Sequence, residues 1–186
     1  MSLLRRLAAI ALAAGLGTVS GCASITGTPN TGYQAGDGSF TVWEPNQRAE
    51  PVVAAGITYA GDAVDLVDLR GGVVVMNFWY AGCPPCRAEA PDLAAIDRDY
   101  PEITMLGVNP RDNAGTAQAF ERTFAVPYPS INDSDAAVIA AMQGTVPLQA
   151  MPTTIVLDTE GRVAARILGQ ADPQILRGLI DDVVGE

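Results

Sequence analysis

Between Gly71-Gly72 and Gly82 the chain carries an apolar run, Val73 to Trp79, rich in β-branched and aromatic side chains. Four residues later comes Cys83-Pro84-Pro85-Cys86, followed by a stretch of helical character. An apolar run of this length, bounded by glycines, predicts a strand buried on both faces. Two prolines directly after Cys83 predict a helix start there, because their fixed φ suits the first turn and their missing N–H groups are not needed in it. A buried strand that hands over to a helix through two cysteines excludes most architectures and leaves an α/β domain in which the cysteines sit at a helix N-terminus.

The rest of the pattern agrees. Ile57 to Tyr59 and Ala63 to Leu66 read as a short hairpin around Gly61-Asp62, and a helix is expected over about Pro85 to Tyr100, with Leu93, Ile96 and Tyr100 on one side. Ile103 to Asn109 is the next buried strand, and Phe120 and Phe124 mark a helical face in Thr116 to Phe124. Tyr128 to Ile131 is a strand candidate, and Asp135 to Met142 a short helix with Val138, Ile139 and Met142 inward. Thr154 to Leu157 and Val163 to Leu168 flank Asp158-Thr159-Glu160-Gly161 as a hairpin. Pro173 to Val184 closes the chain with an amphipathic stripe of Ile175, Leu176, Leu179, Ile180 and Val183. Strands alternating with helices imply a mostly parallel sheet, and the closing hairpin makes it mixed.

The N-terminus reads as a targeting segment. Arg5 and Arg6 precede an apolar stretch, Leu7 to Leu16, too short to span a bilayer. Val19-Ser20-Gly21-Cys22 then resembles a bacterial lipobox, which implies cleavage before Cys22 and acylation of its thiol; the alternative is an ordinary secretory signal with a cysteine nearby. The expected division is a signal peptide over 1–21, a lipidated flexible tether over 22–50 and a folded domain over 51–186. A tether of that length spans about 30 Å as a random coil. Trp43 either docks this tether on the domain or belongs to a short edge strand near Phe40 to Trp43. Without Arg5 and Arg6 the chain carries 21 acids against 9 arginines, net −12. That balance argues against nucleic acid. It also means that acyl chains, rather than the protein surface, would hold the domain at an anionic membrane.

With Cys22 acylated, Cys83 and Cys86 remain as a pair. One pair is too few for a stapling framework, and so short a loop gains little from closure. The chain has no histidine, which removes Ser-His-Asp and Cys-His catalysis and any imidazole metal site. Redox chemistry is therefore favoured over a structural disulfide or a metal site. A cysteine at a helix N-terminus is ionised more readily than a free thiol, and the thiolate is the reactive species. Cys86, one turn in, is expected to be buried and able to close the disulfide. Met151-Pro152, directly before an apolar strand, reads either as a turn or edge device or, in a redox fold, as a cis X-Pro bond beside the dithiol that exposes backbone to an extended substrate.

Val75-Met76-Asn77-Phe78-Trp79, Cys83-Pro84-Pro85-Cys86-Arg87-x-Glu89-x-Pro91, Met151-Pro152-Thr153-Thr154 and Asp158-x-x-Gly161 together resemble the thioredoxin-like TlpA/ResA family over about residues 55–184. The resemblance implies a thioredoxin-like α/β fold with an extra strand-helix insertion, within 101–142, before the cis-proline. It implies a membrane-tethered thiol–disulfide oxidoreductase on the extracytoplasmic face of the cell membrane. Such a protein would act on exported proteins such as apocytochrome c, and a membrane electron-transfer protein would re-reduce it; no organic cofactor or metal is implied. Cys83 and Cys86 are then the catalytic, redox-active pair. Glu89 is a candidate proton acceptor near Cys86, the alternative being an exposed helix glutamate. Met151, Pro152, Trp79 and Pro84 are candidate substrate-binding residues. Asn77 stands where cytoplasmic thioredoxins have a buried aspartate. Gly82 departs from the family, which usually has tryptophan there, so the apolar lip beside the first cysteine is missing. The rival readings are the same exchange run as an oxidant, a Cu(I)-binding chaperone using the two thiolates, and an inert domain on a lipid tether.

Overall fold

A computed structural model describes residues 33–36, 39–147 and 150–186. Its strands are β1 (Tyr33–Gln34), β2 (Phe40–Val42), β3 (Ala55–Ile57), β4 (Ala63–Asp65), β5 (Val74–Phe78), β6 (Thr104–Asn109), β7 (Ser130–Asn132), β8 (Thr153–Leu157) and β9 (Val163–Leu168). Its α-helices are α1 (Pro84–Asp99), α2 (Ala114–Phe124), α3 (Ala137–Ala141) and α4 (Pro173–Val184). Seven strands form one mixed sheet in the order β1-β2-β9-β8-β5-β6-β7, while β3 and β4 make a separate hairpin. β5, β6 and β7 run parallel, and β8 lies antiparallel to β5 and to β9. This is the thioredoxin-like α/β architecture. β7 and α3 supply the extra strand and helix between α1 and the cis-proline.

β5 is an interior strand between β8 and β6, buried along its whole length. Its alternation assigns each side chain to a face. Val74, Met76 and Phe78 point into a core shared with Leu106, Val108, Val138, Ile139, Met142, Ile155 and Leu157. Val73 and Val75 point the other way, beneath Leu93 and Ile96 of α1 and Leu176, Leu179 and Ile180 of α4. Each such fully buried side chain contributes about 1.5–3 kcal/mol. Asn77 and Trp79 share the α1 side, so the polar and aromatic members of this strand lie directly under the two cysteines.

The folded part begins before residue 51. Of the two readings of Phe40 to Trp43, the structure has the edge strand: β2 pairs antiparallel with β9, and the Trp43 N–H donates to the Ala164 carbonyl at 2.9 Å. Arg48 explains why residues 44–50 are held as well. Its side chain is 2% exposed, forms an ion pair with Asp158 at 2.9 Å and donates to the Trp43 carbonyl at 3.0 Å. Composition could not reveal this, because the segment is anchored by pairing and one buried cation rather than by an apolar stripe. The expected signal peptide and Cys22 lie outside the described residues. Among the described residues no helix is long and apolar enough to cross a membrane.

Candidate active site

Cys83 is the N-cap of α1, which begins at Pro84, one residue earlier than expected, with Pro84 and Pro85 opening the first turn. Cys83 and Cys86 form a disulfide with their Cα atoms 5.3 Å apart. The Cys86 N–H points at the Cys83 sulfur, 3.2 Å away. Pro84 and Pro85 have no N–H to offer, so Cys86 supplies the first helical donor that reaches this sulfur. When the pair is reduced, that donor and the helix dipole favour a thiolate on Cys83 over one on Cys86.

Both cysteines are buried, Cys83 at 1% exposure and Cys86 at 2%. The burial of Cys86 is as expected; that of Cys83 means that attack on its sulfur requires local opening of the covering residues. One neighbour is the Met151 carbonyl oxygen, 3.7 Å from the Cys83 sulfur. The Met151-Pro152 bond is cis. Pro152 is buried and Met151 half-buried, so the cis bond brings backbone, rather than a side chain, to the dithiol.

Glu89 is not the exposed helix glutamate of the alternative reading. It is 0% exposed. Its position follows from helical spacing: Cys86, Glu89, Ala90 and Leu93 share the inward face of α1. One carboxylate oxygen accepts from Asn77 Nδ2 at 2.8 Å and the other from the Ala171 N–H at 2.8 Å. Burial pushes its pKa up to about 7, against the lowering effect of these two hydrogen bonds, and the Asp92 charge adds to the rise. The carboxylate is thus turned to Asn77 and Ala171 rather than onto Cys86. Asn77 also donates to Thr154 Oγ1 at 3.2 Å. With Cys86 and Tyr128, Asn77 lines a cavity of about 10 Å³ beneath the disulfide, close to the least that one water needs.

Trp79 does not offer a face to a substrate. It is 3% exposed and stacks on Phe120, with ring centroids 4.3 Å apart. The alternation of β5 sends it inward under α1, where it supports the dithiol from below. A close approach makes room for it: a side chain at Gly107 would begin 2.7 Å from Trp79 Nε1 and would also collide with Ser130 Oγ. Pro84, by contrast, is exposed beside Cys83.

Sequence reasoning passed over the loop between β6 and α2. Asp112 accepts the Ala81 N–H at 2.6 Å and Asn109 Nδ2 at 2.9 Å through the same oxygen. Asn109, fully buried, accepts the Arg111 and Asp112 N–H groups at 3.0 Å each. The segment leading into Cys83 is therefore clamped by a carboxylate far away in sequence. The available signal was Asn109-Pro110-Arg111-Asp112-Asn113 after a buried strand, a run of residues that bond backbone locally. The lip left bare at Gly82 is occupied in part by Tyr80, whose ring stands 3.5 Å from where a Gly82 side chain would begin.

Comparison with known proteins accords with this geometry. The Redoxin family profile matches residues 44–180. The thiol:disulfide interchange protein HelX of Rhodobacter capsulatus is 30% identical over 161 residues, covering 80% of this chain and 88% of HelX. The thiol-disulfide oxidoreductase ResA of Halalkalibacterium halodurans is 29% identical over 123 residues, covering 65% of this chain and 68% of ResA. Among solved structures, a DsbF homologue from Corynebacterium diphtheriae superposes with a TM-score of 0.69 at 31% identity, covering 81% of this chain and 99% of that one.

Proposed function

The chain belongs to the Redoxin family and is a thiol–disulfide oxidoreductase, and from that premise we propose that it works outside the cytoplasm, tethered through acylated Cys22, as a reductant of disulfides in exported proteins. Apocytochrome c during cytochrome c maturation is the substrate this reading favours, in keeping with the likeness to HelX and ResA. The observation that carries it is the Cys83 sulfur capping α1, faced by the Cys86 N–H and lying beside the cis Met151-Pro152 bond.

The Cys83 thiolate attacks one sulfur of the substrate disulfide. That bond breaks, a mixed disulfide with Cys83 forms, and the departing thiolate takes a proton from solvent. Cys86 then loses its proton and attacks the Cys83 sulfur. The mixed disulfide breaks, the Cys83–Cys86 bond forms, and the second substrate thiol leaves with the remaining electron pair. Glu89, ionising near neutrality, is the group suited to take up the Cys86 proton, passed by way of the Asn77 side and the small cavity. Met151 backbone and Pro152 align the substrate strand, with Pro84 at the rim. The net change is two electrons to the substrate. A membrane electron-transfer protein restores the dithiol, and the protein needs no metal or organic cofactor.

The test is insulin reduction by wild type and Cys83→Ser protein, combined with equilibration against glutathione. Turnover that vanishes in Cys83→Ser, with a potential near that of thioredoxin, about −270 mV, supports the reductant. A potential near −120 mV, the range of about the strongest protein oxidants, overturns the direction. A Cys86→Ala variant that accumulates mixed disulfides with exported proteins identifies the substrates.

A further inference from the structure

Among the described arginines, Arg48, Arg162 and Arg177 are engaged in ion pairs. Arg87 and Arg111 form none among the described residues, yet neither is loose. The Arg87 guanidinium lies over the Phe124 ring, 5.1 Å from its centroid, and donates to the Ala81 carbonyl at 3.3 Å. The Arg111 guanidinium lies over the Tyr80 ring at 4.4 Å. Both are therefore laid against the tripeptide Tyr80-Ala81-Gly82 that leads into Cys83, and both are exposed. Beside this tripeptide is an open hollow of about 580 Å³ whose lining includes Ala81, Arg87, Thr116, Phe120, Thr123 and Phe124.

We propose that Arg87 and Arg111 form a carboxylate-binding rim at the dithiol, which selects substrates carrying an acidic side chain next to the reacting cysteine. The proposal rests on the exchange reaction above and names the substrate class for it. A guanidinium held over a ring is restrained there and keeps N–H donors free for a carboxylate. Much of the rotamer entropy an exposed arginine loses on pairing has already been lost here. No nearby acid forms an ion pair with either arginine among the described residues: one oxygen of Asp112 is taken by the Ala81 N–H and Asn109, and Glu89 is buried below the disulfide. The domain as a whole is strongly acidic, but at physiological salt its distant charges are screened beyond about 8 Å. A local cationic rim is thus felt by whatever side chain arrives with the substrate sulfur. The hollow takes the stem of that side chain against Phe124.

The experiment uses short peptides, each with one cysteine activated as a mixed disulfide with the same leaving thiol, differing only in a glutamate or glutamine beside the cysteine. Second-order rates are measured with the reduced wild-type protein and with dithiothreitol as a reference thiol. The glutamate-to-glutamine rate ratio, divided by the same ratio for dithiothreitol, is expected to be about fivefold, the strength of one or two exposed ion pairs. The division removes any general effect of the peptide charge, and comparing two peptides removes any effect of the arginines on the Cys83 thiolate itself. In the R87Q/R111Q double variant the normalised ratio is expected to fall to about one, and in R87K/R111K to stay well above it. A wild-type ratio at or below one, or a ratio unchanged in R87Q/R111Q, overturns the rim while leaving the exchange reaction standing. Failure of the wild type to react with either peptide, while dithiothreitol does, overturns the exchange reaction and the rim with it.

Discussion

Replacing Glu89 by glutamine isolates one buried ionisation. A carboxyl that titrates near 7 in the folded state, against an ordinary value of 4.5, binds more protons folded than unfolded between those two pH values. Stability then falls as pH rises across that window. The sign is that of a burial penalty: the contribution is intact below about 4.5 and lost by the time pH has passed about 7. At about 1.4 kcal/mol per pH unit, the loss amounts to roughly 3 kcal/mol. Glu89→Gln keeps the shape but cannot ionise. Its amide nitrogen must face either Asn77 Nδ2 or the Ala171 N–H, two donors, so at pH 5 the variant is expected to be less stable by about 1–3 kcal/mol. By pH 8.5 it has escaped the buried charge, and the difference closes or reverses. Guanidinium unfolding of the oxidised proteins from pH 4.5 to 8.5 reads this directly. If wild type and Glu89→Gln show parallel stability–pH curves, Glu89 does not titrate in that window, and its assignment as the proton acceptor for Cys86 goes with it. The same change should remove an inflection near pH 7 from the rate at which mixed disulfides are resolved, with little effect on their formation.

Asp112→Ala strips the acceptor from the Ala81 N–H and from Asn109 Nδ2; it should cost about 1–3 kcal/mol and slow insulin reduction, while Asp112→Asn, which keeps one oxygen, recovers most of both. Gly107→Ala drives a methyl into Trp79 Nε1 and Ser130 Oγ, so a loss of about 1–3 kcal/mol with a changed tryptophan emission is expected; an unaltered spectrum would mean that the packing under the dithiol is looser than described. Arg48→Ala leaves Asp158 with Arg162 alone and should cost about 1–3 kcal/mol, with faster amide exchange at Val42 and Trp43 than elsewhere in the sheet.

The elements that were legible in the sequence are those whose burial is periodic. Val73 to Trp79, the closing hairpin and the stripe of α4 each carry enough apolar side chains at one spacing to be read singly, and the structure has them within a residue or two. The dithiol was legible because its chemistry is local: two cysteines, two prolines and a helix start lie within four residues. What escaped depends on partners distant in sequence. Asp112 and Ala81 are neighbours only after β5 and β6 have paired. Arg48 meets Asp158 only once β9 has turned back on β8. One misreading was avoidable: alternation along β5 already puts Trp79 on the side of Asn77. The spacing from Cys86 through Glu89 and Ala90 to Leu93 likewise favoured a buried Glu89 over the exposed alternative, as the structure has it.

The two-sided burial of β5 has a consequence for how such a chain can change over time. Val74, Met76 and Phe78 answer only to the volume of one chamber, whereas Asn77 and Trp79, interleaved with them, answer to the sulfurs. Drift on the first side alters how long the molecule survives; drift on the second alters how readily it gives up electrons. A single short stretch of chain, Val74 to Trp79, keeps durability and redox temper separately adjustable.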